Sequence, residues 1–196
     1  MRMARYIVAV TMLVSIPPAV AVWYVIHPLA SVWRRVGGGI TYLVLAFPVL
    51  ALSALLFRHR GPLLGTSLGT SAPLLAVAAV AAVAGWRIAR LRRRLLTQRI
   101  LMGFPELSPT DKGRLLTSGI YARTRNPRYV EFVVFVLAYV AFANYVGTWV
   151  LFALTFPAIH LVVLLEEREL RDRFGAEYED YCRRVPRYVP RMGNRG

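Results

Sequence analysis

Residues 129–165 read YVEFVVFVLAYVAFANYVGTWVLFALTFPAIHLVVLL, with Glu131 as the one charged side chain in the whole run. Two apolar arms, residues 129–143 and 148–165, flank Asn144-Tyr145-Val146-Gly147. A bilayer core of about 30 Å takes roughly 20 mostly apolar residues per helix. The run therefore reads as a tight helical hairpin in a membrane. Its first arm is short for a full span, so it stops inside the bilayer or tilts little.

Working outward, three further apolar blocks precede the hairpin, at residues 6–26, 40–57 and 73–88. In the first, Pro17-Pro18 reads as a kink, and Ala19-Val20-Ala21 resembles a signal-peptidase site, although the block is long enough to span. Gly61-Pro62 and the Gly/Ser/Thr stretch to Ser71 read as a loop. The spacing of Gly61, Gly65 and Gly69 also matches a helix-packing motif. The apolar share is 57% and the mean hydropathy +0.48, above the roughly 45–50% apolar content of a soluble domain. The fold expected is all-α and polytopic, with about five transmembrane helices and a C-terminal cytoplasmic amphipathic helix. Residues 1–196 form one membrane domain, with 1–94 supplying three helices and 95–196 the loop, hairpin and tail.

The formal charge is +15, from 25 basic and 10 acidic residues. The arginines crowd the ends of apolar blocks, where they face anionic headgroups, and no nucleic-acid-binding motif accompanies them. With five spans and the N-terminus outside, 21 of the 25 basic residues fall on inside segments. The run Arg87, Arg90, Arg92, Arg93, Arg94 then serves as a topology signal. The positive-inside rule gives N-out, C-in.

After Leu165, the residues Leu170, Phe174, Tyr178, Tyr181 and Val185 recur at helical spacing as one apolar stripe. Glu167–Arg171, Glu169–Arg173, Glu179–Arg183 and Asp180–Arg184 are acid-before-base pairs at i, i+4, the favoured order. Pro186 and Pro190 stop this helix and leave an extended end. Cys182 is the single cysteine, so neither an internal disulfide nor a cysteine-rich metal site exists. His27, His59 and His160 lack metal-ligand partners at useful spacing, and no metal is expected. No G-x-S-x-G elbow or phosphate-binding loop is present. Gly37-Gly38-Gly39 follows no strand.

Two polar groups remain as candidates for chemistry. Gly119-Ile120-Tyr121-Ala122-Arg123-Thr124-Arg125-Asn126-Pro127-Arg128-Tyr129 stands at the mouth of the fourth helix. Pro127 suits a first helical turn, and Asn126 suits a cap. Read one way, this is a capped helix entry with interfacial anchors. Read the other, it is a polar cup with backbone donors, an aromatic wall and arginine charge. Glu166-Glu167 is the second group, at the end of the fifth helix. Adjacent acids at a membrane boundary are costly if desolvated. They are either a solvated junction paired to Arg171 or a site for a cation or amine.

In this order and spacing, Gly119-x-Tyr121, Arg125-Asn126-Pro127-x-Tyr129, the hairpin, Glu166-Glu167-x-x-Leu170, Phe174-Gly175-x-x-Tyr178-x-x-Tyr181 and Pro190 resemble the isoprenylcysteine carboxyl methyltransferase family, related to phospholipid N-methyltransferases. The resemblance covers roughly residues 113–191. It implies S-adenosyl-L-methionine (SAM) as cofactor on the cytosolic side, held by Gly119, Tyr121, Arg125, Asn126, Pro127, Tyr129, Glu166, Glu167, Tyr178 and Tyr181. Glu166, Glu167 and Arg125 stand as the catalytic candidates. Asn126 occupies a position where many members carry histidine. Glu131 replaces a small residue, and faces either the pocket or the interface. The implied partner is a membrane lipid or lipid-like acceptor. The implied reaction is carboxyl O-methylation, with phospholipid N-methylation or O-methylation of a long-chain phenol or pyrone as alternatives. A non-enzymatic membrane scaffold or transport component binding anionic lipid headgroups is the reading from another class.

Overall fold

The computed structural model describes residues 1–95 and 114–189. The expectation placed on Pro190 lies outside these. Among the described residues the chain is helical, with no strand beyond a single bridge between Ser67 and Tyr145. In chain order the helices are α1 (Arg2–Ile26), α2 (Ala30–Val36), α3 (Gly38–Arg58), α4 (Arg60–Leu64) and α5 (Ala72–Arg93). A 3-10 turn (Gly119–Ala122) then leads to α6 (Pro127–Ala143), α7 (Val146–Phe174) and α8 (Ala176–Arg184).

Four of these, α1, α3, α5 and α7, are long and apolar enough to cross a membrane. The fold is thus an all-α polytopic membrane protein, with four such spans where the hydropathy pattern gives about five. The difference is α6. Its 17 residues make about 25 Å of helix, short of the bilayer core, and it lies packed between α5, α1 and α7.

Met12, Ile16 and Val20 of α1 meet Tyr129, Val136 and Val140 of α6 and Ile159, Val162 and Val163 of α7 in the main core. Between helices in lipid the apolar effect gives no drive, so close packing and buried polar contacts must hold them. The face α5 turns inward is accordingly small: Ala78, Ala81, Gly85 and Ala89 are buried. A Cβ on Gly85 would stand 3.1 Å from the Phe135 ring of α6. By contrast, α3 buries little more than Thr41 and Leu45, and exposes Leu43, Phe47 and Leu50.

Polar contacts tie each end of the bundle. At one end Arg5 is buried, and its Nε donates to the Ala143 carbonyl at 3.0 Å. Its Nη2 donates to the Asn144 carbonyl at 3.2 Å and Ser67 Oγ at 3.1 Å. Asn144, in the left-handed region at φ 51°, ends α6 and donates from Nδ2 to the Gly69 carbonyl at 3.0 Å. The N-terminus, the 65–71 segment and the hairpin turn are therefore one cluster, and the ends of α1, α5 and α7 lie opposite. The loop expected after Arg58 contains α4. The backbone comes close here: a Cβ on Gly147 would fall 1.9 Å from the Leu63 carbonyl oxygen.

The tail departs from a separate helix after Leu165. Instead α7 runs unbroken to Phe174, and the chain turns at Gly175 (φ 55°, ψ −126°) into α8. Only glycine adopts that conformation readily. Tyr178, Tyr181 and Val185 still cluster with Leu170 and Phe174. Two of the i, i+4 pairs close, Glu167–Arg171 and Glu169–Arg173, each at 3.7 Å. Glu179 instead meets Arg171 at 2.8 Å, and Asp180 pairs with Arg183.

Candidate functional site

Pro127, at the first turn of α6, directs the preceding residues across the bundle end and toward the C-terminal segment. Arg125 N–H donates to the Pro186 carbonyl at 2.9 Å, and Thr124 Oγ1 to the Arg187 carbonyl at 3.1 Å. Asn126 precedes the helix but does not cap it with its side chain. Its Nδ2 points instead at Glu167 Oε1 and the Arg187 carbonyl, both at 3.3 Å. The need behind this is visible: Glu167 is fully buried and requires donors.

Glu167 receives them from several directions. Arg187 reaches it with Nε at 3.0 Å and Nη2 at 2.9 Å, and Arg125 Nη2 lies at 3.1 Å. The carboxylate thus binds the 125–126 segment, α7 and the C-terminal segment into one unit. The Glu167 hydrogen bonds also push the Arg187 guanidinium above its ordinary pKa, against the smaller opposing effect of burial.

Beside this ion cluster lies a cavity of about 130 Å³ whose wall includes Tyr121, Arg125, Asn126, Pro127, Tyr129, Glu166, Tyr178 and Tyr181. Eight of the ten residues singled out from the sequence therefore meet around one space. The other two stand elsewhere. Glu167 lies behind the wall, its oxygens occupied. Gly119 borders a neighbouring cavity between α5 and α6. Its φ of +60° and the Leu95 methyl 2.6 Å from a built Cβ explain the glycine there.

Glu166 differs from its neighbour in its surroundings. It is half-buried, lines the cavity and accepts a short hydrogen bond from the Tyr129 hydroxyl. On the opposite wall the Tyr181 hydroxyl donates to the Tyr121 carbonyl at 2.7 Å. Burial pushes the Tyr121 phenol up to about 12, with Glu166 adding to the shift and Arg92 opposing it. It stays neutral near pH 7.

Several wall residues escaped the sequence reading. Arg92 lines the cavity and forms a buried two-point pair with Glu131 of α6, at 2.7 and 3.0 Å. The basic run at the end of α5, read as a topology signal, therefore includes a site residue. The lone acid Glu131 on an apolar helix was the clue, since a buried carboxylate needs a partner. Arg173 and Phe174 of α7 also line the cavity, and Arg128 stacks on Trp23 with its guanidinium carbon 4.2 Å from the ring centre.

The donor set suits SAM. Arg125 Nε and Arg173 Nε and Nη1 are buried and have no hydrogen-bond partner among the described residues, which suits a ligand carboxylate. Glu166 suits an ammonium or hydroxyl, and the tyrosines suit a flat ring and a cation. The volume is below the roughly 300–1,000 Å³ of typical ligand pockets, so binding of the whole molecule requires the wall to yield. Among the described residues no cluster of three His, Cys, Asp or Glu side chains is placed to hold a metal ion.

A second space adjoins the first. An apolar groove of about 630 Å³ opens between α6 and α7, lined by Val130, Val133, Val134, Phe156, Pro157 and Ile159. Tyr129 belongs to both walls, and Tyr188 with His160 closes the polar side at 2.8 Å.

Three curated proteins are similar to this chain. Methanethiol S-methyltransferase 2 of Bradyrhizobium diazoefficiens is 35% identical over 115 residues, 55% of this chain and 43% of that protein. Nickel-cobalt-cadmium resistance protein NccN of Alcaligenes xylosoxydans xylosoxydans is 30% identical over 86 residues, 44% of this chain and 40% of that protein. Protein-S-isoprenylcysteine O-methyltransferase of Schizosaccharomyces pombe is 34% identical over 77 residues, 39% of this chain and 33% of that protein. The matches thus span less than half the length of these relatives. Two of the three names are consistent with the family resemblance drawn from the motifs. No protein-family model and no solved structure matches the chain.

Proposed function

We propose that the protein is a membrane methyltransferase that binds SAM in the polar cavity and methylates a lipid-like acceptor entering along the α6–α7 groove. The observation that carries this reading is the junction at Tyr129. One residue walls both a cation-rich, tyrosine-lined cavity and an apolar groove between two membrane helices. The two similar proteins named as methyltransferases support the reaction class.

SAM, when bound, supplies a methyl group carried on a sulfonium. The residues of this chain bind, align and exclude water, which is the main demand of an in-line displacement. Arg125 and Arg173 hold the carboxylate end, and Glu166, steadied by Tyr129, holds a polar hydrogen donor. Tyr121, Phe174, Tyr178 and Tyr181 form the dry aromatic side. A carboxylate acceptor arrives ionised and has no proton to remove, so no side chain is required as base. Carboxyl O-methylation is therefore the reaction this site serves with least. On the count of basic residues, the end that carries the site faces the cytoplasm.

A small thiol is the competing acceptor, favoured by the name of the Bradyrhizobium protein; it leaves the groove without a role. Calorimetric titration with S-adenosylhomocysteine tests the cavity, and absence of binding to folded protein would reject it. Incubating membranes with methyl-labelled SAM tests the acceptor. Label in the organic or membrane-protein fraction is expected, and label confined to a volatile or water-soluble product would reject lateral entry.

A further inference from the structure

A separate polar cavity of about 350 Å³ lies where α1 ends, and shares only Arg173 with the cofactor cavity. Its wall includes His27, Leu165, Arg168, Glu169 and Asp172, with Pro28 and Ala30 at the apolar side. We propose that this cavity is a headgroup site for a membrane phospholipid bearing both a phosphate and a primary ammonium group, with Arg168 on the phosphate and Asp172 on the ammonium.

The order of residues along α7 argues for that lipid class. Leu165 closes the apolar part of the helix, Arg168 stands about 4.5 Å further along the axis and Asp172 about 6 Å beyond that. Apolar, positive, negative is the complement of acyl chain, phosphate, ammonium read outward through a bilayer surface.

The pairing on α7 points the same way. Glu167–Arg171 and Glu169–Arg173 run acid before base, and both are closed. Arg168 and Asp172 run base before acid, the poorer order. Both are exposed, and among the described residues neither has an ion pair or hydrogen bond. Two opposite charges one turn apart are thus left for something else.

The floor of the cavity shows a matching need. The His27 side chain is 1% exposed, and its Nε2 has no hydrogen-bond partner among the described residues. Burial lowers its pKa to about 4, outweighing the opposite pull of Glu169, so the floor near pH 7 is a neutral imidazole able to meet a lipid oxygen or N–H. Nearby, Trp33 of α2 donates to the Val25 carbonyl at 3.1 Å, the kind of residue that anchors at headgroup depth.

This proposal rests on the membrane fold and not on methyl transfer. The test uses the full chain in detergent, incubated with equal amounts of phosphatidylethanolamine and phosphatidylglycerol and measured by native mass spectrometry. Preferential retention of phosphatidylethanolamine is expected. The exchange of Arg168→Asp with Asp172→Arg keeps the net charge and puts acid before base, so the helix is not weakened. It should reduce that retention by up to about fivefold, the scale of an exposed ion pair. Neither residue lines the cofactor cavity, so S-adenosylhomocysteine titration of the exchanged protein should match the parent. Equal retention of the two lipids by the parent, or unchanged retention after the exchange, overturns the proposal. Displacement of bound lipid by soluble glycerophosphoethanolamine at comparable concentration would overturn the lipid as the occupant.

Discussion

Glu166 and Glu167 are neighbours in sequence and should fail in opposite ways when their charges are removed. Glu167→Gln puts an amide where Arg125, Arg187 and Asn126 all donate, and leaves Arg125, whose side chain is 10% exposed, without its carboxylate. Breaking a buried ion pair from one side costs about 3–5 kcal/mol. Arg187 and Arg171, at 32% and 40% exposure, can rehydrate, so the lower end applies. About 3 kcal/mol corresponds to a fall of roughly 6–12 °C in melting temperature for a chain of this size. Glu166→Gln removes a half-buried charge that faces the cavity. It should leave the melting temperature within about 2 °C and weaken S-adenosylhomocysteine binding by about tenfold or more, the loss of one charge-assisted contact. Melting in detergent followed by size-exclusion chromatography, beside calorimetric titration, reads both quantities. Parent-like melting of Glu167→Gln together with weakened ligand binding would refute the scaffold role argued for Glu167.

Arg92→Ala and Glu131→Gln should each destabilise by about 3–5 kcal/mol, because each strands a buried charge, while replacing both by leucine should cost much less; melting of the three variants checks this. The Tyr121 pKa is raised in the folded state, so its contribution to stability is intact below the unfolded value near pH 10 and is lost as pH rises toward about 12. Melting temperature should therefore hold to about pH 9 and then fall, less steeply in Tyr121→Phe. Reporters active only in the cytoplasm should work when fused at residues 105 and 194 and fail at residue 65; the reverse pattern would overturn the orientation taken from the arginines.

The spans were legible in the sequence because apolar blocks of that length, ending in arginine, match the thickness and the charged surface of a bilayer. Motif spacing also brought together Tyr121, Arg125, Asn126, Tyr129, Glu166, Tyr178 and Tyr181, since it preserves the turn from α6 to α8. What stayed hidden depends on long-range pairing. Nothing local says that Arg92 rather than Arg93 turns inward, or that Glu167 rather than Glu166 is saturated. Helix phase decides the second case: adjacent residues differ by about 100° around the axis, so one carboxylate enters the ion cluster and the other faces the cavity. The break at Gly175 was also hidden, because the stripe Leu170–Phe174–Tyr178–Tyr181 keeps helical spacing across it.

The shortness of α6 and the length of α7 account for the meeting of the polar cavity and the apolar groove. Arg5 and Asn144 fix both helices at one end of the bundle. From that common origin α6 rises about 25 Å, whereas the 29 residues of α7 rise about 43 Å. The start of α6 therefore falls well short of the end of α7, which continues past it carrying Glu166, Glu167 and Arg173. Pro127 ends α6 early and sends the chain sideways to the C-terminal segment, leaving the last turns of α7 without a helical neighbour on that side. The polar cavity fills the recess, and the groove below it keeps the apolar character of the bundle. Inserting one turn between Tyr129 and Asn144 would raise Tyr129 by about 5.4 Å along the axis and carry it out of that junction, so the short arm is a condition of the site.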